Sequence, residues 1–458
     1  MHRVTKRIWI VCLFIGVLVG GMLFFVGEYD MEARDWVVFS GSPHLYNGAN
    51  IGTGTITDRS GNVLLDLTGE RTYSENETTR KSTLHWLGDR DGFIQAGAVS
   101  RYGADMVGFD MVNGVYNATD GAGEAALTIS AKVQNTALKA MQGRSGTVAV
   151  YNYKTGEILC AVSTPTYDPD HVPDIASDTT GAYDGVYLNR FLQSSYIPGS
   201  IFKVVTTAAA LECVEGIEDM TFNCTGKIEY GTEAVTCMYA HGKQNMRMAL
   251  AYSCNCAYAQ IAELVGKTNM EKYVHKFGIT DRLSFDGVTT VKGNYDIANT
   301  APVSFAWSCI GQYNDLINPA RLMTFMGTIA GGGEAVEPHI MGTVRSGENT
   351  TYEAEAVKTD RILSKETAKT LQEYMRNNVV TTYGVQNFPG LTVCAKSGTS
   401  ELGGELEPNA MFAGFALDEE YPLAFICVVE NGGFGSGTCV PIMSKVLTAC
   451  KEVLDGES

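Results

Sequence analysis

Positive charge is scarce in this sequence. Against 51 Asp and Glu residues stand only 34 Lys and Arg, a formal net charge of −17. A chain this acidic repels phosphate backbones, which argues against nucleic-acid binding. A P-loop, a G-x-S-x-G elbow and an H-E-x-x-H helix are all missing, so three common routes to phosphate, acyl and metal chemistry are not indicated. The 12 cysteines form no C-x-x-C pair and show no ligand-like spacing with the 7 histidines. A zinc site is therefore not expected, and the metal expectation is none. Most cysteines read as small buried hydrophobes. One disulfide is considered, Cys224 with Cys237, which bracket a short turn-rich stretch. Internal repeats and low-complexity tracts are absent, and the mixture of 45% apolar and 19% charged residues excludes a disordered chain, a collagen and a polytopic membrane protein.

One long apolar run is present. Ile8 to Val26 carries no charge, and at about 1.5 Å per residue it spans roughly 28 Å, enough to cross a hydrocarbon core. Arg3, Lys6 and Arg7 precede it, while Glu28, Asp30 and Glu32 follow. The positive-inside rule then puts residues 1–7 in the cytoplasm and everything after Val26 outside. The run exceeds a usual signal-peptide core and no A-x-A-like site follows, so it reads as a retained single-pass anchor.

Past the anchor, Gly54 to Leu67 reads as strand, turn, strand around Asp58-Arg59-Ser60-Gly61. The polar, Gly- and Asn-rich stretch from about Glu70 to Glu124 reads as a loop-heavy membrane-proximal module, 27–124, without chemistry of its own. At Ala125 a strand runs into an amphipathic helix ending at Gly143. A hairpin is expected around Lys154-Thr155-Gly156 and a second within Met411 to Val429. The closing stretch, Pro441 to Leu454, has helical period. Strands at both ends with helices between them imply an α/β domain, 125–458, whose antiparallel sheet is built from distant parts of the chain.

Chemistry concentrates in three short stretches. In YIPGSIFKVVTTAAALECV, Ser200 opens a helix and Lys203 follows on the same face. A serine hydroxyl needs a base beside it. A lysine serves only when neutral, which burial among Ile201, Phe202, Val204 and Val205 would favour. Taken alone, this pair reads first as a helix cap and a solvated lysine. Ser253 and Asn255 then stand inside the apolar, helical-looking run MALAYSCNCAYAQIAELVG, where polar groups must find partners. Last comes Lys396-Ser397-Gly398-Thr399 at the end of a β-type run. Here Gly398 would let a substrate backbone approach, with Lys396, Ser397 and Thr399 offered to an anionic carboxylate.

These three motifs, SIFK, SCN and KSG, resemble in kind and order the S-x-x-K, S-x-N and K-T-G set of the penicillin-binding proteins and related β-lactamases. The flanks YIPGSIFKVVTTAAAL, YNYKTGEILCAVSTPTYDPD, GQYNDLINPARLMTFMGTIAGGG and NAMFAGFALDEEYPLAFICVVENGG are similar to further stretches of that transpeptidase domain. The layout resembles the class B members: an anchor, a non-catalytic module and a transpeptidase domain. The interval before Ala125 leaves no room for the glycan-polymerising domain of class A. The chain departs from the pattern with Ser397 in place of threonine, with Cys254 in the motif's free position, and with Met411 where many members have tryptophan.

The resemblance implies a penicillin-binding/serine β-lactamase-like fold, α/β (α+β), with an antiparallel sheet flanked by helices and a helical subdomain. It implies a D,D-transpeptidase acting on D-Ala-D-Ala stem peptides of peptidoglycan and acylated by β-lactams, with no cofactor. Ser200 would be the nucleophile and Lys203 its base. Ser253 would relay the proton to the leaving amine, and Asn255 would orient Lys203 and the substrate amide. Lys396 would hold Ser253 and, with Ser397 and Thr399, receive the carboxylate beside Gly398. The Ser200 and Thr399 N–H groups would form the oxyanion hole. A SEDS-type glycan polymerase in the membrane is the implied partner. Two rivals stay open: a β-lactamase or D,D-carboxypeptidase on the same scaffold, and a non-catalytic β-lactam sensor or wall scaffold.

Overall fold

The computed structural model describes residues 2–37, 54–68, 70–107, 123–401, 403 and 406–457. The chain starts with a helix, His2–Val37. Its stretch Val4–Tyr29 has a mean hydropathy of 2.7 and is unburied, and it is the one helix among the described residues long and apolar enough to cross a membrane.

Two sheets organise the rest. The larger core is built on a five-stranded antiparallel sheet in the order Val393–Ser400, Asn409–Ala416, Leu423–Val429, Gly146–Asn152, Ile158–Thr164. The two expected hairpins are its middle and far edge, and chain positions nearly three hundred residues apart meet where Leu423–Val429 pairs with Gly146–Asn152. Every residue of the three inner strands is buried, so both faces need apolar side chains and the strands read as continuous hydrophobic runs. Alternate residues serve the two faces. Val148, Val150, Phe412, Phe425 and Cys427 meet the helices Ala131–Met141 and Gly435–Glu457. Ala149, Tyr151, Met411, Ala413 and Ile426 meet the layer that holds the helices Phe202–Cys213 and Pro319–Ala330. Tyr151 fits over Gly327, where a Cβ would lie 1.8 Å from the tyrosine hydroxyl.

The second sheet has six strands in the order Asn349–Glu353, Met341–Ser346, Gly123–Leu127, Thr55–Thr57, Val63–Asp66, Thr72–Tyr73. The membrane-proximal stretch therefore does not close on itself: Thr55–Thr57 pairs in parallel with Gly123–Leu127, which pairs with Met341–Ser346 from far down the chain.

The stretch 70–124, expected to be loop-heavy, contains two helices, Glu77–Leu87 and Gly97–Val107; residues 108–122 lie outside the described part. The first of them escapes a periodicity reading because much of its buried face is polar. Arg80 pairs bidentately with Asp168 at 2.6 and 2.7 Å. Ser82 donates to Asn135 at 2.8 Å, and the Trp86 indole N–H to the Ala161 carbonyl at 2.7 Å. These bonds clamp the helix onto the strand Ile158–Thr164, the loop after it and the helix Ala131–Met141.

Candidate active site

Ser200 stands in a single 3-10 turn, Gly199–Ile201, that runs directly into the helix Phe202–Cys213. Two backbones grip this turn. Gly199 donates its N–H to the Gly311 carbonyl at 2.8 Å. Gly199 has φ +53°, and a Cβ there would fall 2.6 Å from the Thr399 carbonyl. A Cβ on Gly311 would lie 2.1 Å from the Gly199 carbonyl. Absent side chains thus let the serine turn, the corner after the helix Pro302–Ile310 and the edge strand Val393–Ser400 meet backbone to backbone. Gly398 belongs to the same contact, since its Cβ would meet the Pro198 carbonyl at 2.7 Å. The close approach expected there from a substrate is made by the serine turn itself.

Lys203 follows one turn later and is fully buried. Its Nζ lies 3.1 Å from Ser200 Oγ, 2.7 Å from the Ser253 carbonyl, 3.1 Å from Ser253 Oγ and 2.7 Å from Asn255 Oδ1. Burial drives its ammonium down to about 7, with the Cys237, Cys254 and Cys256 sulfurs pulling the other way. The neutral amine is therefore well populated near neutral pH. Two of its four neighbours, the Ser253 carbonyl and the Asn255 amide oxygen, can only accept. They take both N–H bonds of the neutral amine, and the lone pair is left for a hydroxyl of Ser200 or Ser253. That is the arrangement a general base requires.

The run around Ser253, helical in appearance, breaks at that residue. Ser253 has φ +53° between the helices Met246–Ala251 and Asn255–Lys276, a conformation that costs a non-glycine residue about 1–2 kcal/mol. Cys254 caps the second helix, its sulfur accepting the Ala257 N–H at 3.4 Å. The break turns both the carbonyl and the hydroxyl of Ser253 toward Lys203. Asn255 is held at its other end, where Nδ2 donates to the Thr236 carbonyl at 2.8 Å.

Lys396 reaches the same point from the edge strand. Fully buried, it donates to Ser253 Oγ at 3.1 Å and to the Ser397 carbonyl at 2.9 Å. Burial pushes its ammonium well below the usual range, and the charge of Lys203 adds to the push. Ser200, Lys203, Ser253, Asn255 and Lys396 so form one hydrogen-bonded network. The hydroxyls of Ser397 and Thr399 stay outside it, because strand alternation sends them to the opposite face. Ser397 Oγ lies 2.9 Å from the Tyr383 hydroxyl, and Thr399 Oγ1 accepts the Gly435 N–H at 3.2 Å.

The outer edge of this strand is partly capped. Arg376 donates to the Val393 carbonyl and Asn378 to the Ala395 carbonyl, each at 2.9 Å. The Ser397 N–H donates to the Tyr383 hydroxyl at 2.8 Å, and Gln312 Nε2 to the Thr399 carbonyl at 3.2 Å. The same parity turns the Thr399 N–H off the edge, beside the serine turn. Arg376, Asn378 and Tyr383 carry no motif in the sequence, and they are found only once the strand edge is known. The disulfide considered for Cys224 and Cys237 is not formed. Both thiols are free, and each faces Nδ1 of His241, at 3.6 and 3.4 Å.

A serine at a helix start, a buried amine with its lone pair on a hydroxyl, and a second serine bridging two lysines define a serine acyl-transfer centre. A sequence profile for the penicillin binding protein transpeptidase domain matches residues 146–448. The chain belongs to the penicillin-binding protein transpeptidase family. It is 27% identical over 366 residues to the peptidoglycan D,D-transpeptidase PbpA of Mycobacterium tuberculosis, covering 73% of each chain. Among solved structures, the D,D-transpeptidase domain of a peptidoglycan glycosyltransferase from Eggerthella lenta is similar at a TM-score of 0.75 and 25% identity, over 87% of this chain and 98% of that one. The ceftriaxone acyl-enzyme of penicillin-binding protein A from M. tuberculosis is similar at a TM-score of 0.73 and 22% identity, over 86% and 97% respectively.

Proposed function

We propose that this protein is a membrane-anchored peptidoglycan D,D-transpeptidase that works through a serine acyl-enzyme and is trapped by β-lactams. The observation that carries the reading is the network around Lys203, in which both N–H bonds of a neutral amine are spoken for and its lone pair is left to a hydroxyl. Ser200 Oγ attacks the penultimate carbonyl of a D-Ala-D-Ala end while Lys203 takes its proton. The oxyanion lies between the N–H groups of Ser200 and Thr399, each worth about 3 kcal/mol to the transition state. Ser253, within hydrogen-bond reach of both lysines, passes the proton to the departing D-Ala amine, and the acyl group stays on Ser200. An amine from a neighbouring stem peptide then attacks the ester by the reverse path. The new amide is the cross-link, and Ser200 recovers its proton. Lys396 steadies Ser253. A β-lactam presents a strained amide in the same place.

The anchor helix, with Arg3, Lys6 and Arg7 on one side and Glu28, Asp30 and Glu32 on the other, supports a cytoplasmic N-terminus and a catalytic domain outside. In this reading 27–124 is the membrane-proximal module and 125–458 carries catalysis. The class B-like layout further supports a SEDS-type glycan polymerase as partner, contacted through the anchor and that module. Co-purification that survives exchange of residues 1–124 for an unrelated anchor would count against that partner.

The test of the main reading is labelling with fluorescent penicillin, native chain against Ser200→Ala. Covalent label on the native chain alone, stable for many minutes, supports the transpeptidase. Label on both sinks the assignment of Ser200. Rapid turnover of the label would favour a hydrolase.

A further inference from the structure

We propose that Cys224, Cys237, His241 and Cys254 bind one zinc ion, and that this ion fixes the Ser253-Cys254-Asn255 loop in the active site. The four ligand atoms all lie within 4.8 Å of one another. Three of the six edges have the lengths of a coordination tetrahedron, and the others stay within the same 4.8 Å. Zn–S bonds of about 2.3 Å and Zn–N bonds of about 2.0–2.1 Å set S···S edges of about 3.8 Å and S···N edges of about 3.5 Å. The Cys237 and Cys254 sulfurs are 3.9 Å apart, and His241 Nδ1 lies 3.4 Å from the Cys237 sulfur and 3.6 Å from that of Cys224. A disulfide would bring two sulfurs to about 2.05 Å and leave the third cysteine over. Three thiolates and an imidazole suit zinc in a closed, structural site. The His241 ring is held in a ligating orientation, stacked on Tyr252 at 5.7 Å with Nδ1 turned to the sulfurs.

The spacing gave no hint of this site, because its ligands come from four separate places. Cys224 ends the strand Phe222–Cys224, Cys237 follows the strand Glu233–Thr236, His241 precedes the strand Gly242–Gln244, and Cys254 caps the helix Asn255–Lys276. These short strands belong to two small two-stranded sheets, too little on their own for independent stability. A metal joining them to Cys254 supplies the missing constraint. It also bears on catalysis by position alone. Cys254 lies between Ser253 and Asn255, and the carbonyl that holds the Asn255 amide is that of Thr236, next to Cys237. On binding, the three thiols lose their protons to solvent while three Zn–S bonds and one Zn–N bond form.

The metal content can be read without activity, whereas the positioning role rests on the function proposed above. The full-length chain, purified in detergent without chelator, is analysed by plasma mass spectrometry beside Ser200→Ala, Cys439→Ser, His241→Ala and the double variant Cys224→Ser/Cys237→Ser. The expected result is about one zinc per chain in the first three and a loss of most of it in the last two. Zinc retained by Ser200→Ala separates this inference from the acyl-enzyme reading. Replacement by Co2+ should give intense thiolate-to-cobalt charge-transfer absorption, which keeps the test decisive if the double variant misfolds. Stripping the metal with a thiol-directed mercurial and chelator should slow penicillin acylation about 10- to 100-fold, with recovery on adding Zn2+ after the mercurial is removed by excess thiol. A native chain that carries no zinc and, offered Co2+, shows no charge-transfer band overturns the site. A zinc-bearing chain whose acylation is unchanged by stripping overturns the positioning role.

Discussion

Proton occupancy of Lys203 should set the pH dependence of acylation. The fold buries this amine completely and drives it down to about 7, and only the neutral form can take the Ser200 proton. At about pH 6 roughly a tenth of the molecules are then competent, and at about pH 8 roughly nine-tenths. The second-order rate constant for acylation by a chromogenic cephalosporin, followed by stopped flow, should rise about tenfold per pH unit below 7 and level off above it. Stability has the same sign. Between pH 7 and its ordinary 10.5 the unfolded chain holds a proton on Lys203 that the folded chain does not, so this group makes the fold more stable as pH rises through that window. Lys203→Met should abolish acylation at every pH while the protein still folds, since an apolar side chain of similar length removes a buried amine. A rate profile that is level from about pH 5.5 to 8.5 with folded protein throughout would refute the reasoning, because the base would then be neutral at all these values or not required.

Four further substitutions test named contacts. Asn255→Asp places a carboxylate where Asn255 Oδ1 now meets Lys203 at 2.7 Å, which favours the charged amine; the same stopped-flow profile should shift its rise to higher pH, and acylation at pH 7 should fall about 100-fold or more. Gly398→Ala puts a Cβ 2.7 Å from the Pro198 carbonyl and displaces the serine turn, so penicillin labelling should slow about 100-fold, whereas Gly327→Ala, which strikes the Tyr151 hydroxyl in the core, should lower the melting temperature and leave the labelling rate of folded protein unchanged. Arg80→Met takes the guanidinium from the buried Asp168 carboxylate, leaving it only the Asp170 N–H and the exposed His171 ring, and should destabilise by about 3 kcal/mol in thermal or denaturant unfolding, with no change in labelling rate below the transition.

Elements governed by apolar period were legible in the sequence, and elements held by polar contacts were not. The two hairpins at 146–164 and 409–429 show as continuous apolar runs because both faces of their sheet are buried. The helix Ala131–Met141 shows its period because one face meets the same core. The helix Glu77–Leu87 turns Arg80, Ser82 and His85 inward and bonds each to a distant partner, so its buried face reads as a solvated one. The final helix begins at Gly435, six residues before the apolar period starts at Pro441, because its first turn covers the strand end at Gly398 and Met411 rather than the main core.

The site divides along the same line, for a physical reason. Ser200, Lys203, Ser253, Asn255 and Lys396 were conspicuous because each is a polar residue set among apolar ones, and burial is what the proposed chemistry asks of the two lysines: a lysine becomes a base only where its charge is costly. The strand-edge side of the site obeys a different rule. Gln312, Asn378 and Tyr383 bond to backbone groups of the edge strand, and their partners are fixed by strand parity, which depends on a register that only the folded sheet defines. Cys224, Cys237 and His241 are a stricter case. Each lies at or beside the end of a strand of three or four residues, too short to carry a period, and their common neighbour Cys254 belongs to the loop between Ser253 and Asn255. A cluster assembled from strand ends leaves no spacing to read, yet it touches a segment whose backbone strain, at Ser253, has to be held in place by its surroundings.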